Sequence, residues 1–197
     1  MNKRVWGAMA PVFLFLAMGV SQARAESYGS SSGEVSPARP GMGEREIKDE
    51  AARMSLAPHT LMVETELLSA LDQLRGLKAQ LKTAQAQPTP EFLEHYRVHR
   101  REINDSVKSV RTHEGELKER ANRFPTIARS EQYRALDPAI VELERMNQQW
   151  ERQVGNRAYW SDTAKVNADI DQLEKRLMTA LEKTRNLNSK LDVSEVG

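Results

Sequence analysis

The chain has 197 residues, with 29 Lys and Arg against 28 Asp and Glu, and it contains no cysteine. The missing cysteine excludes a disulfide scaffold, a thiol nucleophile, a cysteine zinc site and a cysteine-borne lipid anchor. Near-balanced charge argues against a nucleic-acid partner, whose groove needs a dominant basic field.

The chain opens on a basic start, Met1-Asn2-Lys3-Arg4, followed by an apolar run from Val5 to Val20 and then Ser21-Gln22-Ala23-Arg24-Ala25. A positive segment, an apolar stretch of this length and small residues at Ala23 and Ala25 form the pattern that signal peptidase reads. Residues 1–25 are therefore expected to be a cleaved signal peptide. The run is too short and broken for a span of roughly 20 apolar residues, so no stable membrane span is expected after cleavage. Cleavage removes three basic residues and no acidic one, which leaves a mature chain of slightly negative net charge. A cysteine-free exported chain points to a periplasmic location, with secretion as the alternative.

Residues 26–45, rich in Gly, Ser and Pro, read as a flexible leader. The remainder, 46–192, is expected to be one helical domain. Glu44 to Leu56 can form a short, poorly amphipathic helix that ends before Pro58, because the residue preceding proline avoids the helical region. Beyond it, Val63, Leu67, Ala70, Leu74, Leu77, Leu81 and Ala84 follow one another in alternating steps of four and three, the seam of a helix over about 59–86. Gln87-Pro88-Thr89-Pro90 breaks it, and Thr89 with Pro90 can cap and start the next helix.

That second helix, about 90–123, has a less regular seam: Phe92, Tyr96, His99, Ile103, Val107, Val110, Leu117 and Ala121, with Glu114 intruding. Phe124-Pro125 closes it. Residues 126–137 carry only a helical tendency near Ile127 to Leu136, and Asp137-Pro138 is read as the cap of a third helix, about 138–154. Its seam is Ile140, Leu143, Asn147, Trp150 and Val154, and Gly155 stops it. Ser161 or Asp162 caps a fourth helix, about 162–191, with Val166, Ile170, Leu173, Leu177, Ala180, Thr184, Leu187 and Leu191 at unbroken heptad spacing. Nothing alternates with a period of two, so the expected fold is all-α without sheet: an elongated antiparallel helical bundle of two long hairpins.

Sequence motifs for catalysis are absent: no G-x-S-x-G, no S-x-x-K, no phosphate-binding glycine loop and no H-E-x-x-H. His113-Glu114-Gly115-Glu116-Leu117 begins like the last, but leucine stands where the second histidine must be. The strongest chemical signal is His95-x-x-x-His99, two imidazoles one helical turn apart that can share a divalent ion, with Glu91 or Glu102 as an oxygen ligand. The same pair also fits a surface histidine beside a hydrogen-bonded seam histidine. Arg157, Tyr159 and Trp160 sit in the last connection, at an expected bundle end, and Arg, Tyr and Trp are the usual anchors of interaction hot spots. Their competing role is to plug that end.

The exported helical-hairpin layout is similar in architecture to small periplasmic stress chaperones. The L-T-x-x-Q repeats that mark those proteins are absent, since Leu81-Lys82-Thr83-Ala84-Gln85 displaces the threonine, so no residue role is carried over. The reading that results is an exported non-enzymatic protein without cofactor that associates with an envelope or secreted partner as adaptor, scaffold or secretion-machine accessory, and a homo-oligomer fits the same seams. The alternatives are a periplasmic holdase-type chaperone and a metal sensor built on His95 and His99.

Overall fold

In the computed structural model the residues described are 43–83 and 90–191. They belong to one compact unit, Arg39–Gly197, and the second unit, Met1–Ala38, lies outside them. The expected signal peptide, most of the leader, the Thr89 cap and Ala84 also lie outside the described residues. Among the described residues every regular element is helical and no strand occurs. In chain order these are α1 (Glu44–Thr83), α2 (Pro90–Ala121), a single turn α3 (Pro125–Ala128), α4 (Glu131–Val154), a 3₁₀ turn (Arg157–Ser161) and α5 (Thr163–Lys190). No helix among them is long and apolar enough to cross a membrane.

Two prolines expected at helix boundaries lie inside helices. α1 starts at Glu44, where a short helix is expected, and runs unbroken through Pro58, so the segments expected at 44–56 and 59–86 are one helix. A proline inside a helix costs about 3 kcal/mol, because it removes one backbone donor and crowds the preceding turn. Here Leu56 and Thr60, on either side of it, are fully buried, and that burial outweighs the local penalty. α4 starts at Glu131, not 138, because Ser130 takes the cap: its Oγ accepts from the Tyr133 amide, 3.3 Å away. Pro138 is then an interior proline on the exposed side. Other boundaries follow the sequence: α2 begins at Pro90, Gly155 ends α4 and Asp162 caps α5, its Oδ1 accepting from the Lys165 amide at 3.0 Å.

The helices pack into a bundle in which α1 lies against α2 and α5, and α4 against α5 and α2. Polar contacts across each seam give the register. Between α1 and α5, Glu64 meets Arg185 at 2.7 Å and Lys78 meets Asp171 at 2.6 Å, so the two helices run in opposite directions. Between α2 and α4, Arg100 meets Glu151 at 2.8 Å while Arg111 meets Asp137 at 3.2 Å, again antiparallel. α1 and α2 are joined by Gln73 to His99 and by Glu66 to Ser109. All eight positions of the α5 seam are buried, as are Val63, Leu67, Ala70, Leu74 and Leu77 on α1 and Ile140, Leu143, Asn147, Trp150 and Val154 on α4. Each fully buried Leu or Ile contributes about 1.5–3 kcal/mol relative to exposure, and the summed burial is what selects helices whose local propensity is ordinary.

Candidate functional site

The outer face of α1 carries a second apolar line besides its core seam. Met54, Leu61 and Leu68 are seven residues apart and exposed at 66%, 42% and 39% of their surface. Sevenfold spacing keeps them on one side of the helix, as in a seam awaiting a partner. Across from Leu68 on α5, Met178 is 51% exposed. Between the two helices an open groove of about 980 Å³ is lined by Leu68, Leu71, Met178 and Leu181, with charged residues along its rim. Most of the rim charges are already paired. Lys78 holds Asp171 and Glu174, Arg75 lies 3.4 Å from Glu174, and Arg185 is committed to Glu64. The Lys78 ammonium, seconded by Arg75, keeps the Glu174 carboxyl below its ordinary value against a partial burial that would raise it. What the groove offers a newcomer is therefore apolar contact framed by paired charge.

The sequence-derived candidates land elsewhere. Tyr159 and Trp160 are buried, at 6% and 5% exposure, as the end-plug role requires and not as exposed anchors would be. The Trp160 indole donates to the Val154 carbonyl at 3.1 Å, an acceptor left over by the end of α4. Its ring meets Tyr96 edge-on at 4.1 Å between centroids and touches Phe92 and Tyr159. The aromatic group closes the bundle end because those rings cover the apolar ends of α2, α4 and α5 while the indole satisfies a helix terminus. Burial raises the Tyr159 and Tyr96 hydroxyl pKa values. The side chain of Arg157 lies outside the described residues.

His95 is exposed and His99 half-buried against α1. Both ring nitrogens of His99 are engaged across the helix pair, Nδ1 with Gln73 Oε1 at 2.7 Å and Nε2 with the Gln80 amide nitrogen at 3.1 Å. In that pairing Nδ1 donates to the Gln73 carbonyl oxygen and Nε2 accepts from the Gln80 amide. An ion on His99 displaces one of these bonds. Glu102 is exposed, and the side chain of Glu91 lies outside the described residues.

Among the described residues, the set of three ligand-type side chains that converges is a different one: His59 of α1 with His113 and Glu116 of α2. One ligand atom from each lies within 4.8 Å of the others. Glu116 Oε2 is 2.9 Å from His59 Nδ1 and 3.4 Å from His113 Nδ1, and the two rings are tilted by 45° with centroids 6.4 Å apart. His113 and Glu116 share a face of α2 because they are three residues apart. His59 reaches them only through the antiparallel register of α1 on α2, which the sequence does not print. Glu114, the neighbour that looked out of place in the seam, turns away from this group. It is buried at 2% exposure toward α4, with its carboxylate on Arg111 at 2.8 Å and Lys118 at 2.9 Å.

Comparison with protein-family models, with curated proteins and with solved structures finds no match.

Proposed function

We propose that the chain is an exported, non-enzymatic protein whose helices close as an elongated antiparallel bundle of two hairpins, α1–α2 and α4–α5. It acts by protein–protein association, as an adaptor, scaffold or secretion-machine accessory of the bacterial envelope. Export rests on the basic start, the apolar run and the Ala23-Arg24-Ala25 ending. The observation that carries the association is the exposed heptad line Met54-Leu61-Leu68 of α1, which meets the α1–α5 groove at Leu68, where Met178 of α5 is also exposed. An apolar stripe at helical spacing beside a groove fits an amphipathic helix of the partner, whose anchors every three or four residues sit between Leu68 and Met178. Most of the rim charges are already paired, so recognition rests mainly on apolar burial.

A photo-crosslinking residue at Leu68 or Met178 tests this in the native envelope. The expected result is one near-stoichiometric envelope protein, crosslinked through a single amphipathic segment. The corresponding synthetic peptide should bind the purified protein. Leu68→Glu with Met178→Glu should weaken that binding by about tenfold or more, since two buried apolar side chains are each worth more than the ~1.4 kcal/mol of a tenfold change. A crosslink between two copies of this chain overturns the partner-helix reading in favour of a dimer. A ladder of many substoichiometric unfolded proteins replaces it with the holdase, and peptide binding that survives the double substitution removes the groove.

A further inference from the structure

We infer that His59, His113 and Glu116 form a binding site for one divalent transition-metal ion, with Zn²⁺ the best fit to the donor set. The site is separate from the α1–α5 groove and does not depend on the association proposed for it. Two imidazoles and one carboxylate are borderline and hard donors, and with neutral rings they carry one negative charge, which a divalent cation overcompensates by one. In a tetrahedral site with bonds of about 2.1 Å the donor atoms stand about 3.4 Å from one another. Glu116 Oε2 already lies 2.9 Å and 3.4 Å from the two Nδ1 atoms, and all three residues place a donor atom within 4.8 Å of the others. Small rotations of side chains, with no movement of α1 or α2, bring the set to coordination distance.

The surroundings suit an open site. The His59 and His113 side chains are largely covered, at 15% and 21% exposure, whereas Glu116 is 47% exposed. The imidazoles are thus held by packing, the carboxylate faces solvent, and water has access to complete the coordination. Because His59 comes from one helix and the other two ligands from its neighbour, a bound ion clamps α1 to α2 at this level. The Glu114 carboxylate is taken by Arg111 and Lys118 toward α4, and His99 is taken by Gln73 and Gln80, so neither competes for the ion.

The full chain, purified through a tag without histidine, is titrated with Zn²⁺ by calorimetry and with Co²⁺ by visible absorption. The expected result is one ion per chain, a Co²⁺ spectrum of mixed nitrogen and oxygen ligation, and a rise of Tm with Zn²⁺. His59→Gln and His113→Gln should each weaken binding by at least about 10–100-fold, the loss seen when even an outer hydrogen-bond partner of a ligand is removed. His95→Gln with His99→Gln should bind as the parent does. Glu116→Gln, at a mostly solvent-facing side chain, repeats the loss in a variant whose helical circular dichroism should be unchanged. The site is overturned if no stoichiometric ion binds, if the His59, His113 and Glu116 variants keep the parent affinity, or if the His95/His99 variant is the one that loses it.

Discussion

α5 and α2 face the same core and solve the same problem differently. α5 puts Val, Ile, Leu and Ala at most inward positions, the exceptions being Thr184 and Asn188, and pairs such as Glu174 with Lys78 lie on the flanks of the seam. α2 places Ser106 and Glu114 at buried positions, with His99 beside them. It is tied to its neighbours by matched polar groups: His99 to Gln73 and Gln80, Asn104 to Asn147, Arg100 to Glu151. Aliphatic contact is strong but indifferent to sliding by one heptad, whereas a hydrogen bond between two specific amides is not. α5 therefore contributes most of its share as stability, its register fixed toward one end by Asn188 and Arg185 on Glu64, whereas α2 spreads register-setting polar contacts along its length.

The largest effect that can break this contrast is on the aliphatic side. Leu177 is fully buried in the α5 seam, so Leu177→Ala should cost about 2–5 kcal/mol through lost burial and a residual cavity, read as a drop in the urea midpoint at unchanged slope. A loss below about 1 kcal/mol would mean that α5 is not packed as the aliphatic half of the core. The polar side should answer with the opposite sign. Asn147 is 2% exposed and donates through Nδ2 to Asn104 Oδ1 at 3.1 Å. Asn147→Leu should stabilise by about 1 kcal/mol, because Asn147 Oδ1 is buried without a hydrogen-bond partner, a desolvation cost that leucine removes, while the half-buried Asn104 can turn its amide to water. Its cost should appear in specificity, as extra sets of backbone amide resonances from a shifted α2–α4 register. A single sharp set at raised stability would remove the register role.

The same contrast explains what could be read from the sequence. The α5 seam and the α4 seam are buried residue for residue at the heptad positions, because an uninterrupted apolar period leaves a helix one face to bury. The break at Pro58 and the start at Pro138 do not hold, since local proline chemistry carries no information about the tertiary burial of Leu56, Thr60 and Leu136 that overrides it. Tyr159 and Trp160 were legible as one feature at a bundle end, but their direction depended on the free Val154 carbonyl and the Tyr96 ring, both supplied by other elements. The metal-type triad shows the limit most plainly. Two of its members stand in the string His113-Glu114-Gly115-Glu116, while His59 is 54 positions earlier and joins them only when α1 and α2 take their register.

The smallest effect concerns acid. Two carboxylates bridge helices on the two sides of the comparison: Glu174 joins α5 to α1 through Lys78 and Arg75, and Asp137 joins α4 to α2 through Lys118 and Arg111. Both are held below their ordinary values, Glu174 first by the bond to Lys78 and Asp137 first by the bond to Lys118, each against partial burial. A carboxyl whose folded value is depressed contributes fully above its unfolded value, near 4 for Asp and Glu, and loses that contribution as pH falls through the lower folded value. The contribution of these two carboxylates should therefore be flat from neutral pH down to about 5 and decline below about 4. Glu174→Gln and Asp137→Asn should each make that acid limb shallower. The Glu174 side chain is 19% exposed and that of Asp137 is 43%, so solvent and salt screen the second pair more and Glu174→Gln should flatten the limb more. Both effects belong to the range of partly exposed ion pairs, about 0–1 kcal/mol. Tm measured from pH 7 to pH 2 at two salt concentrations decides the order. If Asp137→Asn has the larger effect and keeps it in high salt, then the α2–α4 charges are more enclosed than their exposure implies, and α2 contributes stability through its polar groups as well as register.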